Sequence, residues 1–354
     1  MLLFIAAKSD FALPKSIVFA SIKDMLQSCA HNKDIAFIVV GEHFEPDFIE
    51  YCSAFDEVSI RSTQEAVELV KQAHNAAVIH FGATIKWAKS LPQYFFPLVL
   101  PNELAGNSFI KRVLNNRKFN KWLQNSSSIF SANDWSLSTL ELAYPEYSSK
   151  IQSVLLPTIT TAVFEWQELS AAKEGLTQGN NYFLAFAPLE RFTAILKEFS
   201  IFKKWQLTTM HLVFVFDTQK QVDTALVLLK GYKFKEDISI YLAGDLCIEW
   251  LAATYAILWE DIHFAKSVWI EYAIQYDVPL LFENKIALPE NWLKAGEVFS
   301  FTEKQALSNH FKLYYKDEVY RQARARMGKE WLENRNEKRS GLELFNNIVL
   351  SFNK

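Results

Sequence analysis

Glycine is scarce in this chain, 10 in 354 residues. Loops that cradle phosphate depend on it, because the backbone N–H groups must approach the ligand with no Cβ in the way. Neither G-x-G-x-x-G nor G-x-x-x-x-G-K-[ST] occurs, which argues against nucleotide binding through those two loops. Cysteine is also rare: Cys29, Cys52 and Cys247 are odd in number and have no metal-like spacing. That usage suits buried thiols in a reducing compartment. Surplus positive charge is missing too, with a net charge of −3 and a pI near 6.2. A nucleic-acid partner is therefore not expected, since phosphate recognition needs a basic surface. No apolar run approaches the roughly 18 or more residues of a membrane helix. The opening MLLFIAAK lacks a basic n-region and reads as a buried first strand rather than a signal peptide. The expected location is cytoplasmic, with room for peripheral contact at the inner face of a membrane. The seven histidines are scattered and no D-x-D cluster occurs, so no metal site and no cofactor are expected.

Apolar residues are present in quantity. Half of the chain is hydrophobic, 22% is charged and 29 residues are phenylalanine, which allows a large core in a chain long enough for two domains. Short apolar runs alternate with amphipathic segments. In the first half, the strand candidates are residues 2–6, 35–41, 78–81, 97–101, 128–131 and 151–157. Helical patterns lie near 16–30, 63–75, 107–125 and 136–144, with Ser136 as a candidate N-cap and Asp134 adding charge near that helix start. After Pro157 comes a polar, small-residue stretch, SAAKEGLTQGNN (170–181), and then the pattern restarts. Strands are expected at 182–187, 211–216, 238–243, 256–259, 279–282 and 297–301. Helices are expected near 189–205, 219–230, 248–255, 266–276, 302–314 and 316–334, with a last one from about 341 to 352. Apolar strands joined by helices at this spacing predict parallel sheets covered on both faces. The fold class is α/β, with two facing Rossmann-like domains, and ligands are expected at the carboxyl ends of the strands.

Three stretches carry a family resemblance. SIFSANDWSLSTLELAYPEYSSKIQSVLLP (128–157), NYFLAFAPLERFTAILKEFSIFKKW (181–205) and IEYAIQYDVPLLF (270–282) together resemble, in order, the landmarks of the retaining GT-B glycosyltransferases of family four. The likeness covers nearly the whole chain. It implies an acceptor domain over 1–160, a nucleotide-sugar donor domain over 161–335, and a C-terminal segment, 336–354, returning to the first domain. It also implies a metal-independent transfer, with retention, from a UDP or GDP sugar to a cell-envelope or polysaccharide acceptor, glycan or lipid-linked.

Position by position the match is partial. The second Glu of the family's Glu-x7-Glu falls on Glu271, where it would accept from the donor ribose, and the first falls on His263. The Gly-Phe-Gly that follows becomes Phe264, Ala265 and Lys266, and the preceding Pro-Ser becomes Trp259 and Glu260. The family's Gly-Arg falls on Ala185 and Phe186, and its nearby Lys falls on Arg191. The resemblance thus makes Arg191 the diphosphate ligand, with Lys266 as a second cation. His263, with Glu260, would meet the sugar, and His80 would stand on the acceptor side. Plain readings stand beside these: Arg191 paired with Glu190 at the surface, Glu271 as a first-turn charge, and His80 as a structural histidine. The helix over 109–123 carries Lys111, Arg112, Arg117, Lys118 and Lys121 and no acid. It is either a solvated surface or a peripheral membrane contact. The exchanged glycines and first Glu leave a second function open, a catalytically impaired relative that binds a glycan, nucleotide or partner enzyme. Another two-domain sugar-nucleotide enzyme, such as an epimerase, is a third.

Overall fold

In a computed structural model, the described residues are 2–7, 26, 35–40, 46–73, 75–81, 91–97, 109–131, 134–153, 164–260, 267–284, 288 and 290–336. They divide into two compact units, one holding the described residues before 154 and the other those from Phe164 onward, Ser267 excepted.

The first unit is built on seven strands: β1 (Leu2–Ala7), β2 (Ala36–Val40), β3 (Val58–Arg61), β4 (Ala76–Phe81), β5 (Gln93–Phe96), β6 (Ser128–Ser131) and β7 (Ile151–Ser153). They lie side by side as β3-β2-β1-β4-β5-β6-β7, and every pair is parallel. The order reverses between β1 and β4, the topological switch point of a doubly wound sheet. Helices α1 (Pro46–Ser53), α2 (Thr63–Gln72), α3 (Phe109–Asn125) and α4 (Asp134–Ala143) accompany the sheet. The start of α2 is fixed locally: Ser62 accepts from the Glu65 N–H while the Glu65 carboxylate accepts from the Ser62 N–H. Such a capping box contributes about 1 kcal/mol to the helix. Phe4, Val78, Ala66 and Val70 pack in one core cluster; Phe95, Phe119, Ile129 and Leu140 pack in another.

The second unit repeats the plan with β8 (Tyr182–Phe186), β9 (His211–Phe216), β10 (Ile238–Leu242), β11 (Ala256–Trp259), β12 (Leu280–Glu283) and β13 (Gly296–Phe299). Their order is β10-β9-β8-β11-β12-β13, again all parallel, with the switch point between β8 and β11. The helices are α5 (Trp166–Thr177), α6 (Phe192–Gln206), α7 (Gln219–Leu229), α8 (Ile248–Ala253), α9 (Ser267–Gln275), α10 (Glu290–Leu293), α11 (Ala306–Lys316) and α12 (Glu318–Asn336). Much of the phenylalanine content sits here. Phe183, Phe192, Phe199, Phe202, Phe214, Phe216, Phe299 and Phe311 share one buried cluster, and Phe192 meets Phe214 edge-on at 4.6 Å. Burying each such ring contributes about 1.5–3 kcal/mol, and each well-set ring pair about 0.5–1.5 more. Gly296 admits the close approach of β12 and β13, since a Cβ there would stand 2.3 Å from the Leu280 carbonyl oxygen. Helix α9 ends in a Schellman turn, with Val278 N–H bonding Ala273 O and Asp277 N–H bonding Ile274 O. Asp277 takes the left-handed position at φ 58°, and its carboxylate pairs with Lys329 at 2.6 Å.

The structure corrects four expectations. A strand lies at Gln93–Phe96, where none is expected, and Pro97, the expected start of the next, lies just beyond it with no N–H to give a ladder; residues 98–101 of the strand expected at 97–101 lie outside the described residues. The polar stretch from 170, where no helix is expected, lies largely in helix α5, whose Glu165–Glu168 capping box begins it. Ser136 is inside α4 rather than at its cap, and its hydroxyl meets that of Ser131 at 2.5 Å. Strand β3 and helix α1 were not expected at all; β3 is only partly buried and so lacks a strong apolar signal. The helices expected near 16–30 (Leu26 apart) and 341–352, and the returning C-terminal segment, lie outside the described residues. No helix among the described residues is long and apolar enough to cross a membrane.

Candidate functional site at the second switch point

Strand β8 is buried along its whole length. Beyond it the chain passes Ala187 and Pro188 and enters a single 3-10 turn, Leu189–Arg191, which runs directly into α6. No side chain caps this turn or α6. Arg191 therefore stands at the mouth of a helix whose first N–H groups favour an anion.

Across the switch point, β11 ends at Trp259, and Glu260 follows. The Glu260 N–H bonds the Phe186 carbonyl at 3.0 Å, which ties the end of β11 to the end of β8. Its carboxylate takes the Arg191 Nε–H at 2.6 Å. The carboxylate is nearly sealed, its side chain 6% exposed, whereas that of Arg191 is 31% exposed. Arg191 thus pairs with Glu260, 69 residues away, and not with Glu190. Arg191 Cζ lies over the Phe301 ring, 5.1 Å from its centre, just past β13. A cation over an aromatic face gains about 0.5–1 kcal/mol when exposed and more when desolvated.

Two features of this edge were missed in the sequence. By sequence, Phe301 is only the end of the strand expected at 297–301. Glu283, the last residue of β12, is 1% exposed and follows Phe282, which registers with Trp259. It is the residue next along from that register pair, as Glu260 is on β11. Its signal was a carboxylate directly after the apolar run PLLF.

Glu271 lies on α9 and is 5% exposed, flanked by Ile270, Tyr272 and Ala273, all buried. It is thus not a first-turn surface charge. Phe186 and Trp259 occupy the positions where the resemblance calls for Arg and Pro. Their rings stack at 4.2 Å and 11°, and both are buried. Phe186 thus puts an apolar ring where the resemblance calls for an arginine. His263 and Lys266 lie outside the described residues.

In the first unit, His80 is fully buried in β4, in register with Ala6 of β1 and Phe95 of β5. Burial pushes its imidazole down to about 4, against a smaller raising effect of its hydrogen bond with Gln93. It is therefore neutral near pH 7 and ill-suited to proton handling there. On α3, Arg117, Lys118 and Lys121 are exposed; the side chains of Lys111 and Arg112 are outside the description.

No protein-family model matches the sequence, and no curated protein matches it. Solved structures do match. HepE from Anabaena, in complex with UDP and glucose, aligns over 99% of this chain and 100% of its own at a TM-score of 0.66 and 11% identity. A glycosyltransferase from Rickettsia africae aligns over 99% and 97% at 0.67 and 10% identity. The catalytic domain of starch synthase IV from Arabidopsis thaliana, bound to ADP and acarbose, aligns over 100% and 99% at 0.60 and 11% identity. The fold is GT-B. Within it, the Arg191–Glu260 pair occupies the switch point of the second Rossmann-like sheet, where ligands of doubly wound sheets bind.

Proposed function

We propose that this chain is a glycosyltransferase that moves a sugar from a nucleotide-sugar donor, with retention, to a cell-envelope or polysaccharide acceptor. The observation that carries the reading is an arginine held by a buried carboxylate at the switch point of the second sheet. GT-B relatives in fold with UDP or ADP bound support it. Residues 1–160 would receive the acceptor and 161–335 the donor. Arg191 would hold the diphosphate, assisted by the uncapped N-terminus ahead of α6. Glu271 would accept from the ribose hydroxyls, and Lys266 would add a second cation. Contact with the transferred sugar would fall to His263. A retaining transfer passes through an oxocarbenium-like state. A neutral imidazole stabilises that charge less than a carboxylate does, so slow turnover is expected. His80, sealed and neutral, would support the acceptor side by packing. The basic face of α3 would suit a lipid-linked acceptor at an anionic membrane surface.

A second reading is a binding protein that has lost transfer. The buried Phe186–Trp259 stack favours it, since the Phe186 ring stands where the family carries an arginine. Both readings are tested by thermal shift with UDP, ADP, GDP and their glucose conjugates, followed by donor hydrolysis. Stabilisation with hydrolysis supports transfer, and stabilisation alone supports the binding protein. No shift with any nucleotide or nucleotide sugar at millimolar concentration removes the transferase reading. Glu271→Ala is expected to weaken nucleotide affinity about tenfold, the size of one lost charge-assisted hydrogen bond; unchanged affinity takes Glu271 out of the site.

A further inference from the structure

We infer that Glu260 is a positioning residue for Arg191 and does not itself meet the sugar; this rests on the donor-site reading above. Glu260 is anchored at both its backbone and its carboxylate. Its N–H is fixed to the Phe186 carbonyl across the switch point, and its carboxylate is bonded to Arg191 Nε at 2.6 Å. Arginine is a long side chain with large rotamer freedom, and what it gains at a phosphate is reduced by the cost of ordering it. Here that ordering precedes the ligand. Glu260 fixes Nε, and the Phe301 ring lies under Cζ at 5.1 Å.

The choice of nitrogen matters. A guanidinium offers two forked edges, Nε with one Nη, and the two Nη together. The contact with Glu260 is a single bond at Nε, on the side of the stem. The outer edge keeps its pair of parallel N–H donors, matched to two oxygens of a diphosphate. The exposure is graded in the same sense, the carboxylate nearly sealed and the arginine about a third open. Stability alone is a weak reason for such a pair, because well-packed apolar residues do as well or better in a buried setting. Aiming an arginine outward is something apolar residues cannot do. The substrate class this edge selects is a nucleoside diphosphate or its sugar conjugate, rather than a neutral glycan.

The test is calorimetric titration of the full chain with inorganic pyrophosphate, UDP, ADP and GDP, using wild type, Glu260→Ala, Glu260→Gln, Arg191→Ala and the Arg191→Ala/Glu260→Ala double variant. Relative to wild type, Glu260→Ala should bind diphosphate at least tenfold more weakly. Glu260→Gln should lose less, because its amide oxygen still accepts from Nε, and it serves if the alanine variant folds poorly. In the Arg191→Ala background, removing Glu260 should cost no further affinity. A merely structural carboxylate would lower stability and leave this coupling in affinity absent. If both Glu260 variants bind as tightly as wild type or tighter while Arg191→Ala loses affinity, the positioning role is overturned and the donor site stands. If Arg191→Ala binds as wild type does, or wild type binds none of the four probes, both readings fall together.

Discussion

At the switch point of the first sheet stands a histidine; at that of the second stands an arginine–glutamate pair. The two sheets share a topology, each reversing strand order beside its first strand, and their switch-point residues are similarly deep in the protein. His80 is fully buried, and Glu260 is 8% exposed. What separates them is charge. Burial holds the imidazole uncharged near pH 7, outweighing the raising effect of its hydrogen bond with Gln93. Arg191 is charged and partly open to solvent, so the Glu260 carboxylate keeps an ionic partner that also faces outward. A buried polar group becomes either core or site according to what it is tied to, because low dielectric penalises an unpaired charge far more than a paired one.

The strongest way to break the contrast is to remove the cation. Arg191→Ala takes a cationic partner from the buried Glu260. It should cost about 2 kcal/mol of stability, below the roughly 3–5 of a fully sealed pair, because Arg191 is partly solvated. Nucleoside-diphosphate affinity should fall about a hundredfold, by analogy with loss of a buried charged contact. Urea unfolding and calorimetry read the two separately. Adding Glu260→Gln to Arg191→Ala should restore part of the stability and none of the affinity. If stability stays low, the arginine serves packing rather than charge.

A smaller effect tests the other side of the contrast. The imidazole of His80 lies near 4 in the fold, against an ordinary value of 6.5. Between those values the unfolded chain binds more protons than the folded one, so this group's contribution falls as pH falls. From pH 7 to pH 5 the loss is about 2 kcal/mol, at about 1.4 kcal/mol per unit. His80→Asn keeps a side chain able to hydrogen-bond Gln93 and should flatten that part of the pH dependence in urea midpoints. An unchanged slope would mean that His80 is protonated in the fold, and the two switch points would then be alike.

The frame of both sheets was legible because parallel strands sealed on two faces are written as unbroken apolar runs. HLVFVF and AILW carry that signature and fall where expected, at His211–Phe216 and Ala256–Trp259. The edge strand VSIR does not, since a partly exposed strand needs no apolar run. Helix α5 was hidden for a related reason: among its residues only Leu176 and Thr177 are buried, so almost no amphipathic stripe marks it. Arg191 was legible by its place after a strand. Its partner was not, because a pair separated by 69 residues is set by strand order, which no local pattern records. The depth of Glu271 was hidden likewise: an acid within an apolar helix reads as a surface charge until the packing around it is known.

The least disruptive change bears on how the first sheet finishes its other strand ends. Ser131 closes β6, Ser136 lies in α4, and both are fully buried, with their hydroxyls 2.5 Å apart. They are neutral groups in contact, and the contact ties a strand to the helix that follows it. Ser131→Ala removes the buried contact with Ser136 and should cost about 1 kcal/mol. The loss should not vary with pH, because neither hydroxyl titrates in the accessible range. Nucleoside-diphosphate affinity should be unchanged, since in the proposed division the donor belongs to the second unit. Urea midpoints at pH 5 and pH 7, with calorimetry on the same variant, decide the matter. A loss of nucleotide affinity with stability intact would give the first sheet a part in donor binding, and the contrast between the two sheets would then be one of degree.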